Sequence, residues 1–382
     1  PHTHMGALLR LRRVPGLSPE ARRALDRAGH VRCNDVLYLS EVSLVKELDL
    51  PLDDVRTLLQ AVSRAVCPKH RSALALLQGS VGELGTQRHL PTGLAPLDDH
   101  FAGGLPLGTV CELVGPAGVG KTQLCLSMAA RTLLSGDATV LYVDTERSFS
   151  ALRLTQLLDR MVRGRGIGGE AASHAAERAA ARLRVLKPSS WSEYSGCISD
   201  QLERELLKSP STALLIVDSI ASAVHWQFDS GDVQKRQQTV AAHAARLKYF
   251  ADTYGCCVLA VNQVMSPGST VHGSHIVEGG GEHGVQGLQG IQGYDDVHLV
   301  AYLGPMWAHC VNARLVLQYP AIGDAPVKPL HPPPMAGVLV NASSPRPMRL
   351  RVAKASMCPE ATFEYVVGPD GICTPAELQS FV

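Results

Sequence analysis

Eight consecutive residues in the first third of the chain have the spacing of a phosphate-binding loop. Residues 115–122 read Gly-Pro-Ala-Gly-Val-Gly-Lys-Thr, between the apolar run Thr109–Val114 and the helix-compatible stretch Gln123–Leu134. In such a loop backbone N–H groups surround phosphate oxygens, and the N-terminus of the following helix adds partial positive charge. The sequence therefore predicts a nucleoside triphosphate site. Its candidate binding residues are Gly115, Pro116, Ala117, Gly118, Val119, Gly120, Lys121, which would reach the β/γ-phosphates, and Thr122, which would hold Mg²⁺.

Acidic residues follow two other apolar runs. Asp218 ends the run Ala213–Val217 and is expected to orient Mg²⁺, although an aspartate there can also simply cap a helix. Asp144 and Glu146 follow the run Thr139–Val143, and either could position the attacking water, because strand alternation alone does not rank them. The carboxyl ends of parallel strands share one edge of a sheet. Glu146 would therefore reach the γ-phosphate if its strand lies beside the phosphate-loop strand.

An amide pair, Asn262-Gln263, ends another apolar run just before the stretch Met265–Gly293, which is rich in Gly, His, Gln and Ser. An amide at a strand end could sense the γ-phosphate and order the segment that follows, so we expect that segment to be a mobile functional loop. His272 and His275 stand three apart in it, but the glycines around them fix no geometry for a metal site.

The elements that must position these residues follow a regular pattern. Apolar runs of strand length alternate with helical segments such as Gln123–Leu134 and Thr239–Tyr254. Strands that are apolar throughout imply a mostly parallel sheet covered by helices on both faces, which is an α/β fold, here over residues 92–382. The runs are Thr109–Val114, Thr139–Val143, Ala213–Val217, Cys256–Val261, Val297–Tyr302 and Arg314–Leu317.

A separate, small all-helical domain is predicted over residues 8–67. Ser18-Pro19-Glu20 has the composition of a helix start, with a serine N-cap and a proline in the first turn. Ser40–Leu48 and Leu52–Val66 predict two further helices. Residues 68–91 then form a linker to the core.

Two stretches interrupt the pattern of the core. Arg163–Arg182, rich in Ala, Arg and Gly, is expected to be a surface insertion or a loose helix. Ala325–Pro347 is rich in proline and is expected to be the expanded tip of a hairpin. Ala325–Pro347, like Met265–Gly293, lacks the apolar density that it would need to order itself alone.

Composition and charge distribution narrow the classes of protein to which this chain can belong. The 382 residues carry a net charge of only +1, but residues 8–32 hold seven arginines against two acids, and residues 346–354 add four cations and no acid. Such patches suit either a solvated face or contact with a polyanion. The ten cysteines include no C-x₂-C pair, and neither a membrane-length apolar run nor a signal peptide is evident, so we expect a soluble intracellular protein.

Several motifs together resemble those of the RecA-type recombinases. The resemblance covers nearly the whole chain outside the insertions, and the helical domain is similar to the amino-terminal domain of the eukaryotic and archaeal branch. Within that branch the chain looks most like the B group of the eukaryotic strand-exchange recombinase paralogues. The matching motifs are Thr92–Gly108, Gly-Lys-Thr-Gln at 120–123, Asp-Thr-Glu at 144–146, Val-Asp-Ser at 217–219, Val-Asn-Gln at 261–263 and Leu303–Leu315.

This resemblance implies a RecA-like ATPase core that uses ATP and Mg²⁺. Its implied site residues are Lys121 and Thr122 for nucleotide and magnesium, Asp218 as the second magnesium acid, Glu146 as the catalytic glutamate, Gln263 as the γ-phosphate sensor and Arg153 near adenine. Two loops, 223–235 and 265–293, would hold single-stranded or branched DNA.

The implied role is that of a DNA-dependent ATPase subunit of a recombinase-paralogue complex. It would act in the nucleus in double-strand break repair by homologous recombination, with related paralogues, the C paralogue first among them, as partners. The alternatives are an autonomous strand-exchange recombinase and a nucleotide-binding structural adaptor without turnover. A helicase or clock-type ATPase is disfavoured by the single core and the helical amino-terminal domain.

Three departures from the family pattern favour a subunit that works with partners. Arg147 follows Glu146 where the strand-exchanging members usually carry glycine. The stretch 265–293 contains no Lys or Arg, so it can neutralise few DNA phosphates. The linker segment Ser72–Leu77 lacks the aromatic residue of the strand that joins recombinase protomers.

Overall fold

The structure is a computed structural model of the chain. It describes residues 9–67, 72–74, 89–228, 233–265, 270–272, 275–277, 300–320 and 347–379. The chain divides into two compact units, residues 1–87 and 88–382. None of the helices in the described ranges is both long enough and apolar enough to cross a membrane.

The amino-terminal unit is helical, as predicted. Its helices are α1 Pro19–Ala28, α2 Cys33–Leu37, α3 Glu41–Leu48 and α4 Leu52–Val66. The predicted cap of α1 is confirmed, because the Ser18 hydroxyl accepts a 3.1 Å hydrogen bond from the Ala21 N–H. Gly29 ends that helix with a φ of 79°, a conformation that glycine adopts without steric cost. Fully buried Leu44, Val55 and Val62 form part of its core.

The second unit contains the strands and helices of an α/β core. Its strands are β1 His89–Leu90, β2 Leu105–Pro106, β3 Val110–Gly115, β4 Thr139–Asp144, β5 Leu183–Leu186, β6 Thr212–Asp218, β7 Cys257–Met265, β8 Thr270–His272, β9 His275–Val277, β10 Val300–Ala301, β11 Ala313–Gln318, β12 Met348–Ala355, β13 Ala361–Gly368 and β14 Gly371–Cys373. Its helices are α5 Ala95–His100, α6 Lys121–Leu133, α7 Ala151–Gly164, α8 Gly169–Ala180, α9 Trp191–Gly196, α10 Leu202–Lys208, α11 Ile220–Gln227, α12 Val233–Tyr254, α13 Gly304–Cys310 and α14 Pro375–Gln379.

The central sheet has the order β14-β13-β12-β11-β3-β7-β6-β4-β5, with β10 also paired to β7. Neighbouring strands from β11 to β5 run parallel, whereas β12, β13 and β14 add an antiparallel edge. The predicted α/β fold with a mostly parallel sheet is therefore confirmed.

Helices cover both faces of this sheet. Side chains alternate along β4, so Tyr142 packs into one hydrophobic core with Leu124 of α6, while Val143 packs into the other with Leu247 of α12. Burial on both faces explains why the central strands read as continuous apolar runs.

The stretch 163–182, expected to be a surface insertion or a loose helix, is largely helical, and its helix is packed rather than loose. This stretch contains α8, whose Ala172, Ala176 and Ala179 are buried and whose length packs along α7. Their spacing places all three on one helix face. Alanine side chains let the helix approach its neighbour closely.

The loops expected to hold DNA are only partly loops. Residues 223–227 belong to α11 and residues 233–235 to α12, so much of the first segment is helical; residues 229–232 lie outside the described residues. In the second segment, β8 and β9 pair antiparallel, and residues 266–269, 273–274 and 278–293 lie outside the described residues.

The expected hairpin tip at residues 325–347 lies almost entirely outside the described residues, which resume at residue 347. The strands on its two sides do pair antiparallel, with Gln318 of β11 opposite Arg349 of β12, as in a hairpin.

Candidate nucleotide-binding site

The phosphate-loop sequence occupies a strand–loop–helix unit, as predicted. β3 ends at Gly115, and α6 begins at Lys121. Gly118 and Gly120 have φ values of 77° and 99°, which let the loop turn tightly without a steric penalty. A Cβ atom on Gly115 would lie 2.6 Å from the Leu317 carbonyl oxygen, so β11 packs too closely for any larger residue there.

The Lys121 side chain folds back over this loop. Its Nζ donates hydrogen bonds of 2.8 Å to the carbonyl oxygens of both Gly115 and Pro116. Burial lowers the pKa of Lys121, and the nearby carboxyl groups of Glu146 and Asp218 oppose that shift. The ammonium group is thus held inside the loop, where an anion would meet it.

Thr122 and Asp218 converge although they are 96 positions apart in the chain. The Thr122 hydroxyl donates a 2.8 Å hydrogen bond to Asp218 Oδ2, which also accepts from the Tyr142 hydroxyl at 2.8 Å and the Ser148 hydroxyl at 3.3 Å. Burial raises the pKa of Asp218, and the hydrogen bonds from Tyr142 and Thr122 counteract part of this effect. A hydroxyl and a carboxylate oxygen at one point are the hard oxygen donors that Mg²⁺ takes.

The two acids that follow β4 have different environments in the structure. Asp144 is fully buried, and its carboxylate accepts hydrogen bonds from the backbone N–H groups of Ser148 at 3.0 Å and Phe149 at 3.2 Å. Glu146 is exposed. Asp144 therefore fixes the path of the loop, while Glu146 is accessible to a water molecule.

Glu146 meets the end of β7. Its Oε1 atom accepts hydrogen bonds from the Gln263 amide at 2.6 Å, the Ser222 hydroxyl at 2.7 Å and the Ser219 hydroxyl. Ser219 is the N-cap of α11, so the carboxylate also lies at the positive end of a helix. Glu146 and Gln263, 117 positions apart, are thus brought into contact.

The sequence made the approach of Glu146 to the γ-phosphate conditional on its strand lying beside the phosphate-loop strand, and that condition is not met. β4 does not lie beside the phosphate-loop strand β3, because β7 and β6 separate them. Glu146 projects from the loop after β4 across the end of β6, and its charge still acts on Lys121.

Arg147, directly after Glu146, has a φ of 55°. This left-handed conformation costs a residue with a Cβ atom about 1–2 kcal/mol and costs glycine almost nothing. A glycine would therefore suit this position better than the arginine that occupies it.

Arg153 joins three parts of the core. Its Nε donates to the Gln123 side chain at 3.0 Å, and its terminal nitrogens donate to the carbonyl oxygens of Gly368 at 2.7 Å and Pro369 at 2.9 Å. Burial lowers the pKa of this guanidinium, and the charge of Arg160 adds to the effect. Arg153 thus links α7, the phosphate-loop helix and the turn between β13 and β14.

Sequence reasoning missed three tyrosines at this site. The Tyr319 hydroxyl donates to the Ala117 carbonyl at 2.8 Å, the Tyr365 hydroxyl to the Val119 carbonyl at 2.6 Å, and Tyr142 to Asp218 as described. No motif marks Tyr365, and Tyr319 only ends the stretch Val311–Tyr319, which resembles the family. The only signal for Tyr142 is a hydroxyl in an otherwise aliphatic strand that ends in an acid.

The comparison with protein families agrees with this geometry. The sequence profile of the Rad51 family matches residues 87–284, and an XRCC3/RpoA-like helix-hairpin-helix profile matches residues 11–66. The chain belongs to the Rad51 family.

Among relatives of this Rad51-family chain, DNA repair protein RAD51 homolog 2 of Mus musculus is 34% identical over 332 residues, or 81% of this chain and 88% of the relative. The Homo sapiens protein of the same name is 31% identical over 81% of this chain and 80% of the relative. DNA repair and recombination protein RadA of Aeropyrum pernix is 26% identical over 68% and 78%.

Proposed function

We propose that this Rad51-family chain is an ATP-binding, DNA-dependent ATPase subunit of a recombinase-paralogue complex. It would act in the nucleus, in double-strand break repair by homologous recombination. The observation that carries the proposal is the 2.8 Å contact between the Thr122 hydroxyl and Asp218 Oδ2 beside the loop that holds Lys121. It brings the phosphate loop into contact with the carboxylate that we propose as a magnesium ligand.

The residues of the site divide the work of hydrolysis. The backbone N–H groups of the phosphate loop, to which Pro116 contributes none, and the Lys121 ammonium would bind the phosphates. Mg²⁺ held by Thr122 and Asp218 would neutralise the charge that develops on the β- and γ-phosphate oxygens. Glu146 would orient the attacking water and accept its proton on a carboxylate oxygen. Gln263, in contact with Glu146, would sense the γ-phosphate.

Arg153 would lie next to the base of the nucleotide. Its hydrogen bond to Gln123, in the first turn of α6, supports that position, because α6 begins at the end of the phosphate loop. The carbonyl groups of Gly368 and Pro369 orient its planar guanidinium. Lysine could not reproduce this fork of hydrogen bonds.

ATP hydrolysis by the purified chain, alone and with its partner paralogue, with and without single-stranded DNA, tests the proposal. We expect DNA-stimulated turnover that Glu146→Gln abolishes while ATP binding remains. Thr122→Val should lose Mg²⁺-dependent ATP binding, and the matched Thr122→Ser should keep it because the hydroxyl remains. Absence of ATP binding in every condition would refute the proposal.

The arginines of the amino-terminal unit support contact with DNA. Arg22 has a structural role within the unit, because its guanidinium donates hydrogen bonds to three backbone carbonyl groups. The others that the structure exposes are Arg10, Arg12, Arg13, Arg23 and Arg27. The double variant Arg13→Glu, Arg23→Glu should weaken DNA binding. It should also weaken the salt dependence: the slope of log Kd against log salt concentration should fall by about one for each DNA phosphate that the variant no longer neutralises. An unchanged salt dependence would restrict DNA contact to the core.

For partners, we propose a role as the B paralogue, bound to related RecA-like paralogues and first to the C paralogue. The relatives named RAD51 homolog 2, which match this chain over 81% of its length, support that assignment. Co-expression with candidate paralogues followed by co-purification tests it. Equal capture of all paralogues would argue against a specific C-type partner.

A structural adaptor that binds ATP without turnover is the second candidate. The left-handed φ of Arg147 beside Glu146 favours it, because backbone strain at this point can displace the carboxylate. Lys121→Ala separates the two roles. An adaptor would still support repair in cells after this substitution as long as it stays folded, and an ATPase would not.

A further inference from the structure

Two tyrosines from the last third of the chain contact the phosphate loop through their hydroxyl groups. Tyr319, directly after β11, donates a 2.8 Å hydrogen bond to the Ala117 carbonyl oxygen. Tyr365, on β13, donates a 2.6 Å hydrogen bond to the Val119 carbonyl oxygen. The tyrosines follow the residues that they bind by 202 and 246 positions, so the folding of the sheet brings them to the loop.

Each of these hydrogen bonds fixes the orientation of one peptide unit of the loop. The Ala117 carbonyl shares a planar unit with the Gly118 N–H, and the Val119 carbonyl shares one with the Gly120 N–H. Both units are trans, so the C=O and the N–H of each point in opposite directions. A tyrosine that holds the carbonyl oxygen on its own side therefore directs the N–H of the following glycine to the other side of the loop.

The same two glycines pack closely against the residues on the tyrosine side. A Cβ atom on Gly118 would lie 2.8 Å from the Tyr319 hydroxyl oxygen. A Cβ atom on Gly120 would lie 3.1 Å from Val367 Cγ2 and 3.9 Å from the ring of Tyr365. Protein atoms thus occupy the side of the loop on which the carbonyl groups point, and an anion would approach the N–H groups from the opposite side.

The two tyrosines differ in their exposure to solvent. Tyr365 is fully buried in the hydrophobic core that also contains Leu113, so packing fixes the position of its hydroxyl group. The side chain of Tyr319 is 39% exposed. Removal of the Tyr319 hydroxyl therefore leaves the core intact, whereas removal of the Tyr365 hydroxyl leaves the carbonyl group of buried Val119 without this donor.

We propose that Tyr319 and Tyr365 are positioning residues that direct the N–H groups of Gly118 and Gly120 towards the phosphates of a nucleoside di- or triphosphate. The proposal rests on the proposed function, which assigns this loop to ATP. With both hydroxyl groups in place the loop has its binding geometry before the nucleotide arrives, so less conformational freedom is lost on binding. Each hydroxyl also polarises its peptide unit, which makes the N–H a stronger donor.

Tyr319→Phe and Tyr365→Phe test the proposal in the full chain, because each keeps the ring and removes only the hydroxyl. Two constants are measured with Mg²⁺ present: the Kd of a fluorescent ADP, and the inhibition constant of inorganic pyrophosphate that displaces it. We expect each variant to raise both constants about 2- to 10-fold, the effect of one ordinary hydrogen bond. Pyrophosphate carries neither adenine nor ribose, so an equal rise in both constants locates the effect at the phosphates.

Tyr249→Phe is the matched control, because its hydroxyl donates to Glu203 at 2.9 Å and not to the loop, and both constants should keep their wild-type values. Lower stability alone does not change a constant measured where every variant is folded, and Tyr319→Phe remains as a test if Tyr365→Phe does not fold. Unchanged constants in either folded variant, or a rise for ADP without a rise for pyrophosphate, would overturn the inference. Wild-type protein that binds neither ATP nor ADP would instead refute the proposed function, and the inference with it.

Discussion

Tyr142 and Asp218, on the neighbouring parallel strands β4 and β6, share a 2.8 Å hydrogen bond in which the phenol donates to Oδ2. The same oxygen accepts the Thr122 hydroxyl, so a residue from the middle of a strand supports the carboxylate of the proposed magnesium site. Because Asp218 is 1% exposed, protein groups rather than bulk water provide its hydrogen bonds.

Tyr142→Phe should therefore destabilise the protein by about 1.5–3 kcal/mol, the range for a hydrogen bond to a charged group. Urea unfolding without nucleotide measures this loss. Tyr254→Phe is a matched control, because that hydroxyl donates to Glu203 at 3.2 Å in a half-buried place, and its loss should cost less. Equal stability of Tyr142→Phe and the wild type would show that Asp218 does not depend on the phenol.

Arg147→Gly should leave stability unchanged or raise it by up to about 1 kcal/mol. The substitution removes the strain of a left-handed arginine, and part of that gain is offset by the greater freedom of glycine in the unfolded chain. We also expect ATP turnover to rise if the strain displaces Glu146. Arg147→Ala is the control, because it deletes the charge and keeps the Cβ atom. A rise in turnover with alanine as well would attribute the effect to charge.

His243 should make stability depend on pH in the acidic range. The ring lies 5.2 Å from Trp191 in a stacked arrangement, and burial lowers the pKa of His243 to about 4 from its usual 6.5. Between these values the unfolded chain binds the extra proton and the folded protein does not. Stability contributed by the neutral ring is therefore present above pH 6.5 and is lost as the pH falls, by about 1.4 kcal/mol at pH 5.5.

His243→Phe should remove this loss while keeping an aromatic ring against Trp191. Urea unfolding of both proteins at pH 7.5 and pH 5.5 gives the comparison, and only the difference between them counts, since other groups titrate in both. Identical pH dependence of the two proteins would mean that His243 does not titrate in this window.

Arg314 and Glu112 form an ion pair across the neighbouring strands β11 and β3, and the Glu112 side chain is fully buried. Asn262 donates to the other oxygen of that carboxylate at 2.7 Å. Arg314→Met should cost about 3–5 kcal/mol, because it leaves a buried charge without its partner. Adding Glu112→Gln, which still accepts from Asn262, should restore part of the loss. If the double variant unfolds more easily than Arg314→Met, loss of the ion pair is not the cause of the lower stability of Arg314→Met.

Local features of the sequence predicted much of the fold. The bounds of α4 at Leu52–Val66 follow from the apolar period of that helix, and the Ser18 cap and Gly29 terminus of α1 follow from residues within one helical turn of each end. The phosphate loop is equally local, because strand, glycines and helix are contiguous. Family resemblance added the roles expected of Glu146, Gln263 and Arg153, which local patterns alone left open.

By itself the sequence determined which segments become strands and helices and which loop can hold phosphate, because each of these depends on neighbours a few positions away. Only the tertiary structure decided which strand ends meet. The order β3-β7-β6-β4 places the loop after β4 against the ends of β6 and β7, and so joins Glu146 to Gln263 and Thr122 to Asp218. Strand order depends on the packing of whole layers, and no short stretch of sequence encodes it.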